Sequence, residues 1–488
     1  MRGFSIPLCA AVVATAAHTG HADPPAAELS LGDVIAVAVR QGPDFERARL
    51  DLDAARGNLE RARGIEDVHL GLSASYQHAP DAVFDANDTL DLSVANLSVG
   101  RALPTGGTLA VVAGAQRTRF DSPDDPMLDS LAYTSSLSLS LVQPLWRGAG
   151  PSAFEAPIRQ AEHGRDAAKL AREAKARDDV VAIVEAYWQV ALAWRALEVR
   201  TASLELARKQ LAFTQGAIRA DKLAKSEELA VQEAIASREQ DVLDAEQQVW
   251  DRSLDLRELA GLEIGPKDLG VKTSPLPQPA PLDLDLSATV SAVFDHSAEL
   301  AALDADERGA VAGVDAADGL ARSRLDLAAQ AGPVGIGSTL SASTTNATAH
   351  PGYAVSASLT FDRAIQARTE HGGQAVAHAQ LQKARVDSRA ARARVAAHAT
   401  LAVQRVRAAL AAVALGDTAT QLAEANVEAE QHKLELGKSS TFEVLRRQDD
   451  LQQVRLRHAT AIVDYLSARA ELDGLTGAIL GQFGVVMR

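Results

Sequence analysis

The sequence predicts a mainly α-helical protein with a smaller β component, built from two internal repeats. Prolines are absent from residues 158–265 and 352–488, which are runs of 108 and 137 residues. Because a proline inside a helix costs about 3 kcal/mol, runs of this length favour very long helices. The duplication is predicted from a shared pattern 216 residues apart, which consists of Leu256, Leu259 and Gly261 in the first run and Leu472, Leu475 and Gly477 in the second.

Composition and charge exclude several functional classes. Aromatic residues make up only 4% of the chain, which suits close helix packing better than a globular core built on large side chains. The formal net charge is −15, and an acidic chain without a basic patch argues against nucleic acid as a partner. The sequence contains no recognisable nucleophile–base pair, metal-ligand motif or nucleotide-binding loop. It therefore predicts neither an enzyme nor a bound cofactor.

The N-terminus is typical of a secretory signal peptide over residues 1–22. Arg2 provides the positive end, Phe4 to Ala17 is mostly apolar, and small residues precede a cleavage point before Asp23. The single cysteine, Cys9, lies inside this signal at a position that does not favour lipidation. No later segment has about 18 consecutive apolar residues, so we expect no membrane-spanning helix. A mature chain of this kind would meet a membrane only through a β-barrel.

The first repeat is predicted to span residues 23–265. Short helices are expected over 31–64, followed by four segments within 68–143 in which apolar and polar residues alternate, as in β-strands. A long helix pair is expected over 155–262 with a turn near Gly216. Its apolar residues recur every seven positions in two adjacent seams, which predicts packing partners on two sides. The predicted strand segments are 68–77, 90–101, 107–119 and 132–143.

A proline-rich linker is predicted over residues 266–283, because prolines occupy every second position from 275 to 281. The second repeat, over 284–488, follows the same plan as the first. Its expected elements are a helical stretch over 287–323, β segments within 334–361 (strands over 334–344 and 352–361), and a long helix pair over 364–476 with a turn near Gly437.

The predicted strands are compatible with two interpretations. Leucine and valine alternating with serine, glycine and threonine describe a sheet with one wet face, or a transmembrane barrel with lipid outside and water inside. A few strands from one chain cannot close a barrel, and open edges are not tolerated in lipid. In a membrane, several copies would therefore close one barrel together. The alternative is a periplasmic coiled-coil scaffold or adaptor protein that does not insert in the membrane.

The chain resembles the TolC family of outer-membrane efflux and secretion ducts over nearly its whole mature length. The resemblance rests on LSLGDVIAVAVRQGPDF (29–45), QPLWRGAG (143–150), GKSSTFEVL (437–445) and AIVDYLSARAELDGLTG (461–477), in this order and spacing, and on the twofold repeat. It implies a homotrimer whose strands form one shared transmembrane β-barrel that continues into a long periplasmic α-helical barrel. It also implies no enzymatic activity, and docking onto a periplasmic adaptor (membrane fusion) protein and an inner-membrane pump.

The resemblance further assigns roles to residues at the two helix turns. The periplasmic tips that meet the adaptor would include Gly216, Ala217, Gly437, Lys438 and Ser439. Glu443 matches the first acidic residue of the family's aperture ring, whereas Arg446 stands in place of the second. An aperture of this composition would be less cation-selective than one with two acidic rings. The extra strand pair over 90–119 is compatible with added barrel strands or an extracellular hairpin. Trp146 and Tyr133 are compatible with membrane-interface aromatics or ordinary strand ends.

Overall fold

A computed structural model describes residues 28–80, 88–122, 127, 130–220, 224–263, 270–279 and 284–485. The predicted signal peptide, its cleavage point and Cys9 lie outside the described residues, as do both ends of the predicted linker. The chain divides into two compact units. The helical unit consists of Met1–Val37, Ile183–Pro279 and Ala412–Val463, and the sheet unit consists of Ala38–Ala182, Ala280–Ala411 and Asp464–Arg488.

Long helices dominate the described residues. The helices are α1 (Leu31–Gln41), α2 (Pro43–Arg63), α3 (Pro151–Arg219), α4 (Ser226–Ala260), α5 (Leu286–His296), α6 (Ala298–Leu320), α7 (Leu340–Ala349), α8 (Arg368–Glu435), α9 (Thr441–Leu475) and α10 (Ala478–Gln482). The strands are β1 (Val68–Pro80), β2 (Thr89–Ala102), β3 (Thr108–Asp121), β4 (Ser130–Pro144), β5 (Arg324–Gly337) and β6 (Gly352–Asp362). The predicted fold class, mainly α with a smaller β component, is confirmed.

The two longest helices, α3 and α8, run without interruption for 69 and 68 residues. Each contains an 18-residue stretch that is apolar enough to cross a membrane by length and composition, as core helices of soluble proteins also do. In α3, residues of both predicted heptad seams are buried, Ile183 and Val190 in one and Val184 and Tyr187 in the other. These four residues therefore find packing partners within a single chain.

The N-terminal segment and the linker are joined to α3 in the helical unit. Leu29 pairs with Thr273 in a parallel bridge. The Tyr187 hydroxyl donates a hydrogen bond to the Leu29 carbonyl (2.8 Å) and accepts one from the Ser274 N–H (2.8 Å). The Trp194 indole donates to the Val271 carbonyl at 2.7 Å. Two extended segments are thus fixed to one helix by side chains that satisfy their backbone groups.

The second half of the chain departs from prediction in three places. The helical stretch predicted over 287–323 is interrupted at Ser297, whose hydroxyl accepts from the Leu300 N–H (3.2 Å) and caps α6. β5 begins at Arg324, ten residues before the predicted strand over 334–344. The end of that predicted strand is helical instead, because the Thr339 hydroxyl accepts from the Ala342 N–H and starts α7.

The six strands of the described residues form one antiparallel sheet in the order β1-β2-β3-β4-β5-β6. β2 and β3, which contain the extra strand pair predicted over 90–119, pair with β1 and β4 along their whole lengths. The turn between them lies against the start of α3, since a Cβ at Gly106 would come within 2.1 Å of the Gly148 carbonyl oxygen. This pair therefore extends the sheet of the chain, and its turn lies at the end where the long helices begin.

Candidate functional site: a two-faced sheet and two helical tips

Through the middle of the sheet, one face is apolar on all six described strands. The register aligns Leu72 with Leu97, Ala113 and Leu137 across β1 to β4, and Leu139 with Ala331 and Val355 across β4 to β6. The large residues of this set are exposed, from 46% at Leu97 to 79% at Leu72. A continuous apolar surface of this kind marks contact with lipid or with another protein, because water solvates it poorly. We call it the apolar face.

Through the middle of the sheet, the opposite face carries small and polar side chains. In register across β1 to β4 lie Ser73, Asn96, Gly114 and Ser136. On the same face the Gln330 side chain of β5 donates to the Ser138 hydroxyl at 2.7 Å. One apolar face and one polar face are typical of a barrel wall that separates lipid from water.

The two edges of the sheet are unpaired within the described residues. β1 pairs only with β2 and β6 only with β5, so each leaves a row of backbone donors and acceptors on its outer side. The side chains of β6 are exposed along the whole strand. Exposed strand edges favour pairing with another chain, and in lipid they must be paired.

Helix α7 covers part of the apolar face at the end of the sheet away from the long helices. The Ser343 and Ser135 hydroxyls form a hydrogen bond of 2.8 Å between α7 and β4. A Cβ at Gly335 would come within 2.1 Å of the Ala347 nitrogen, so glycine is what allows the helix to approach β5. The sequence signal for this contact is weak, because the segment consists of small residues that suit several structures.

The turn between α8 and α9 lies where the sequence predicts it. Gly437 ends the helix in the left-handed conformation at φ 69°, and its N–H donates to the Leu434 carbonyl at 3.0 Å. The Ser439 hydroxyl donates to a Glu430 carboxylate oxygen at 2.5 Å. Hydrogen bonds from Ser439 and Lys433 hold the pKa of the Glu430 carboxyl below its ordinary value. The turn therefore keeps these bonds in more acidic solution than an ordinary glutamate would allow.

The predicted aperture residues lie at the start of α9. The Glu443 N–H donates to the Ser440 hydroxyl at 3.3 Å, so Ser440 caps the helix. The Glu443 carboxylate is half-buried and the Arg446 guanidinium is exposed. Neither side-chain group has a hydrogen-bond or ion-pair partner within the described residues. Two opposite charges therefore lie one turn apart on α9 without a partner among the described side chains.

The turn between α3 and α4 lies later than predicted. Gly216 and Ala217 are inside the last turn of α3, which continues to Arg219, and α4 begins at Ser226. Residues 221–223 of this turn lie outside the described residues. A helical glycine costs about 1 kcal/mol relative to alanine, which a helix of this length absorbs without ending.

A buried arginine on α4, which nothing in the sequence marks, connects this helix to α9 in the helical unit. The Arg238 side chain is only 5% exposed and contacts a carboxylate oxygen of Asp449 at 2.7 Å. It also donates to the Gln448 side chain and to the Ser203 carbonyl on α3, both at 3.3 Å. An arginine among polar neighbours is typical of a solvated helix face, so only the tertiary contact identifies it. Arg238 is the charged group that joins three helices near the tips.

The fold of the chain matches solved structures of outer-membrane channels. The Campylobacter jejuni CmeC outer membrane channel has a TM-score of 0.69 at 12% identity, covering 92% of this chain and 85% of that chain. The outer membrane protein VceC from Vibrio cholerae has a TM-score of 0.69 at 16% identity, covering 92% and 96%. The open state of the Neisseria gonorrhoeae MtrE outer membrane channel has a TM-score of 0.61 at 14% identity, covering 92% and 89%.

No protein-family model matches the sequence, and no curated protein is significantly similar to it. The likeness to the solved structures, at 12–16% identity, therefore shows the fold. The chain has the fold of outer-membrane channels, which pairs long helices with a β domain, and the predicted TolC-like fold is confirmed.

Proposed function

We propose that the protein is an exit duct in the outer membrane of a Gram-negative bacterium, extending into the periplasm. The observation that carries this proposal is the two-faced sheet with open edges. Its apolar face suits lipid, its polar face suits a water-filled lumen, and both edges require another strand. Three copies would close one barrel by pairing β6 of each copy with β1 of the next. Substrates would pass through the lumen without chemical change.

Exposed heptad residues in the helical unit support assembly from several copies. On α4, Leu243 and Trp250 are seven residues apart and exposed, and on α8, Leu415 and Leu422 have the same spacing and exposure. Apolar residues with this period form the seam of a coiled coil, and these four remain exposed among the described residues. We propose that the α4 seam of one copy packs against the α8 seam of its neighbour in a homotrimer.

The helical tips are the surface that we propose for docking a periplasmic adaptor protein and, through it, an inner-membrane pump. Four large apolar side chains are exposed beside the two turns, namely Phe213, Leu229, Leu436 and Phe442. Apolar anchors beside polar groups are typical of protein interfaces. The proposed contact residues at the turns are Gly216, Ala217, Gly437, Lys438 and Ser439. The duct would thus be part of an efflux or type I secretion system, and the pump would determine which substrate is conducted.

Electron microscopy of the mature protein, purified from outer membranes in detergent, tests the duct. We expect threefold particles in which a rod of about 100 Å, the length of a 69-residue helix, extends from the micelle. Monomeric particles without a micelle would reject the duct. They would instead favour a periplasmic scaffold or adaptor whose sheet never enters a membrane.

Glu443→Gln is expected to make the channel less selective for cations, because three copies would remove three negative charges from the proposed aperture. Arg446→Gln should shift selectivity in the opposite direction, since it removes the positive charge one turn away. Reversal potentials in planar bilayers under a salt gradient measure both effects. As a control, Glu233→Gln removes the same charge from an exposed position seven residues after the start of α4. If all three variants kept the wild-type reversal potential, neither residue would line the pore.

A further inference from the structure

The three chain connections at the helix end of the sheet surround a cleft of about 490 Å³. They are the links from β4 to α3, from α6 to β5 and from β6 to α8, and all belong to the sheet unit. The cleft lies where the apolar face ends and the helices begin. In the proposed duct, this level is the surface of the bilayer that faces the periplasm.

The cleft is basic although the whole chain is acidic. Four arginines line it against two carboxylates, Asp362 and Glu370. Arg147 contacts Glu370 at 3.5 Å, and a second arginine, Arg324, pairs with the buried Asp326 at 2.5 Å. The two remaining arginines, Arg322 and Arg363, are exposed and have no side-chain partner within the described residues. Two planar, permanently charged donor groups are thus available to an anionic ligand.

The rim of the cleft is aromatic and apolar. Trp146 and Phe361 pack edge to face with ring centroids 6.0 Å apart, and Phe361 belongs to the apolar face. Ile365, in the link to α8, is fully exposed at 100%. Tryptophan beside arginine is typical of a bilayer interface, where the ring enters the headgroup layer and the guanidinium remains at the charged surface.

We propose that this cleft binds the phosphate of an anionic phospholipid in the leaflet that faces the periplasm. Arg322 and Arg363 would contact the phosphate, while Trp146 and Ile365 would lie among the upper acyl carbons. The proposal rests on the proposed outer-membrane duct and adds a headgroup preference to it. Anionic lipid is favoured over zwitterionic lipid because, among the described residues, no carboxylate pairs with Arg322 or Arg363, so a negative ligand meets net positive charge.

Native mass spectrometry of the delipidated protein, titrated with phosphatidylglycerol or phosphatidylethanolamine, tests this site. The variant Arg322→Gln/Arg363→Gln should bind phosphatidylglycerol at least about tenfold more weakly than the wild type, with phosphatidylethanolamine binding unchanged. The matched control is Arg308→Gln/Arg389→Gln, which removes two exposed arginines from α6 and α8 of the same unit. It should keep the wild-type preference.

Reconstitution into phosphatidylcholine nanodiscs separates this proposal from the duct itself. Suppose that the protein enters these bilayers, and that the wild type and Arg322→Gln/Arg363→Gln bind phosphatidylglycerol equally in the mass-spectrometric titration. The headgroup site is then wrong and the duct stands. If the wild type does not enter the bilayers, the duct fails and the site fails with it. If Arg322→Gln/Arg363→Gln and Arg308→Gln/Arg389→Gln lost phosphatidylglycerol binding equally, the site would also be wrong, because the loss would follow from the change in net charge alone.

Discussion

Replacing Leu137 by arginine is expected to prevent the proposed duct from assembling in the outer membrane. Leu137 lies at the middle of β4 on the apolar face and is 51% exposed. An arginine on the lipid side of a barrel at the bilayer midplane costs about 2–4 kcal/mol, so three copies would cost roughly 6–12 kcal/mol. A typical domain has a stability of only about 5–15 kcal/mol. The quantity to measure is the amount of heat-resistant oligomer in the outer-membrane fraction.

The neighbouring residue provides the control for this experiment. Ser136 belongs to the same strand but lies on the polar face, in register with Gly114. Ser136→Arg should therefore assemble and lower the single-channel conductance, because its side chain would enter the proposed lumen. Assembly of both variants at wild-type levels would show that the apolar face does not contact lipid. Failure of both variants to assemble would mean that β4 tolerates no large side chain on either face, so that the loss would not be due to contact with lipid.

The two faces of the sheet could be predicted from sequence because they depend on a local rule. Side chains alternate across a strand, so serines between Leu137, Leu139 and Leu141 indicate one wet and one apolar side wherever the strand pairs. The long helices could be predicted for a similar reason, since proline and glycine act on the backbone of their own segment. Neither feature depends on which distant segments pack against the strand or the helix.

The remaining features depend on contacts between distant segments. Helix α7 begins inside the strand predicted over 334–344, because Thr339 caps the helix and Gly335 allows it to approach the sheet. The turn after α3 falls beyond Gly216 because a long helix absorbs one glycine. The link from Arg238 to Asp449 joins residues 211 positions apart. No periodic pattern in a single sequence encodes such a pair.

Removing Asp449 is expected to weaken the packing of the helical unit more than removing its partner Arg238. The arginine is 5% exposed and the aspartate 57% exposed. Asp449→Ala would leave a buried guanidinium without its counter-ion, and breaking a buried pair in this way costs about 3–5 kcal/mol. Hydrogen bonds to Gln448 and Ser203 would lessen this cost. Arg238→Met would leave a solvated carboxylate and would remove the donor from Gln448 and from the Ser203 carbonyl, so it should cost about 1–2 kcal/mol, less than Asp449→Ala.

Thermal unfolding of the detergent-solubilised protein and hydrogen exchange in α4 and α9 measure this asymmetry. The double variant Arg238→Met/Asp449→Ala should resemble Arg238→Met, because removing the carboxylate has no further cost once the buried charge is gone. We expect the two variants to affect channel opening in the same order. If helix pairs must separate for the proposed duct to open, Asp449→Ala should raise spontaneous openings in planar bilayers more than Arg238→Met does.

Buried polar groups beside this pair are consistent with helices that rearrange. Within the described residues, several buried side-chain atoms on α3 and α9 have no hydrogen-bond partner, namely the hydroxyls of Ser203, Thr214 and Thr441 and the amide nitrogens of Gln210 and Gln448. Such groups lower the stability of packing and favour local opening. If Asp449→Ala destabilised the protein without changing spontaneous opening, the pair would hold the fold and the gate would lie elsewhere. If it changed neither quantity, the contact between Arg238 and Asp449 would contribute nothing to packing.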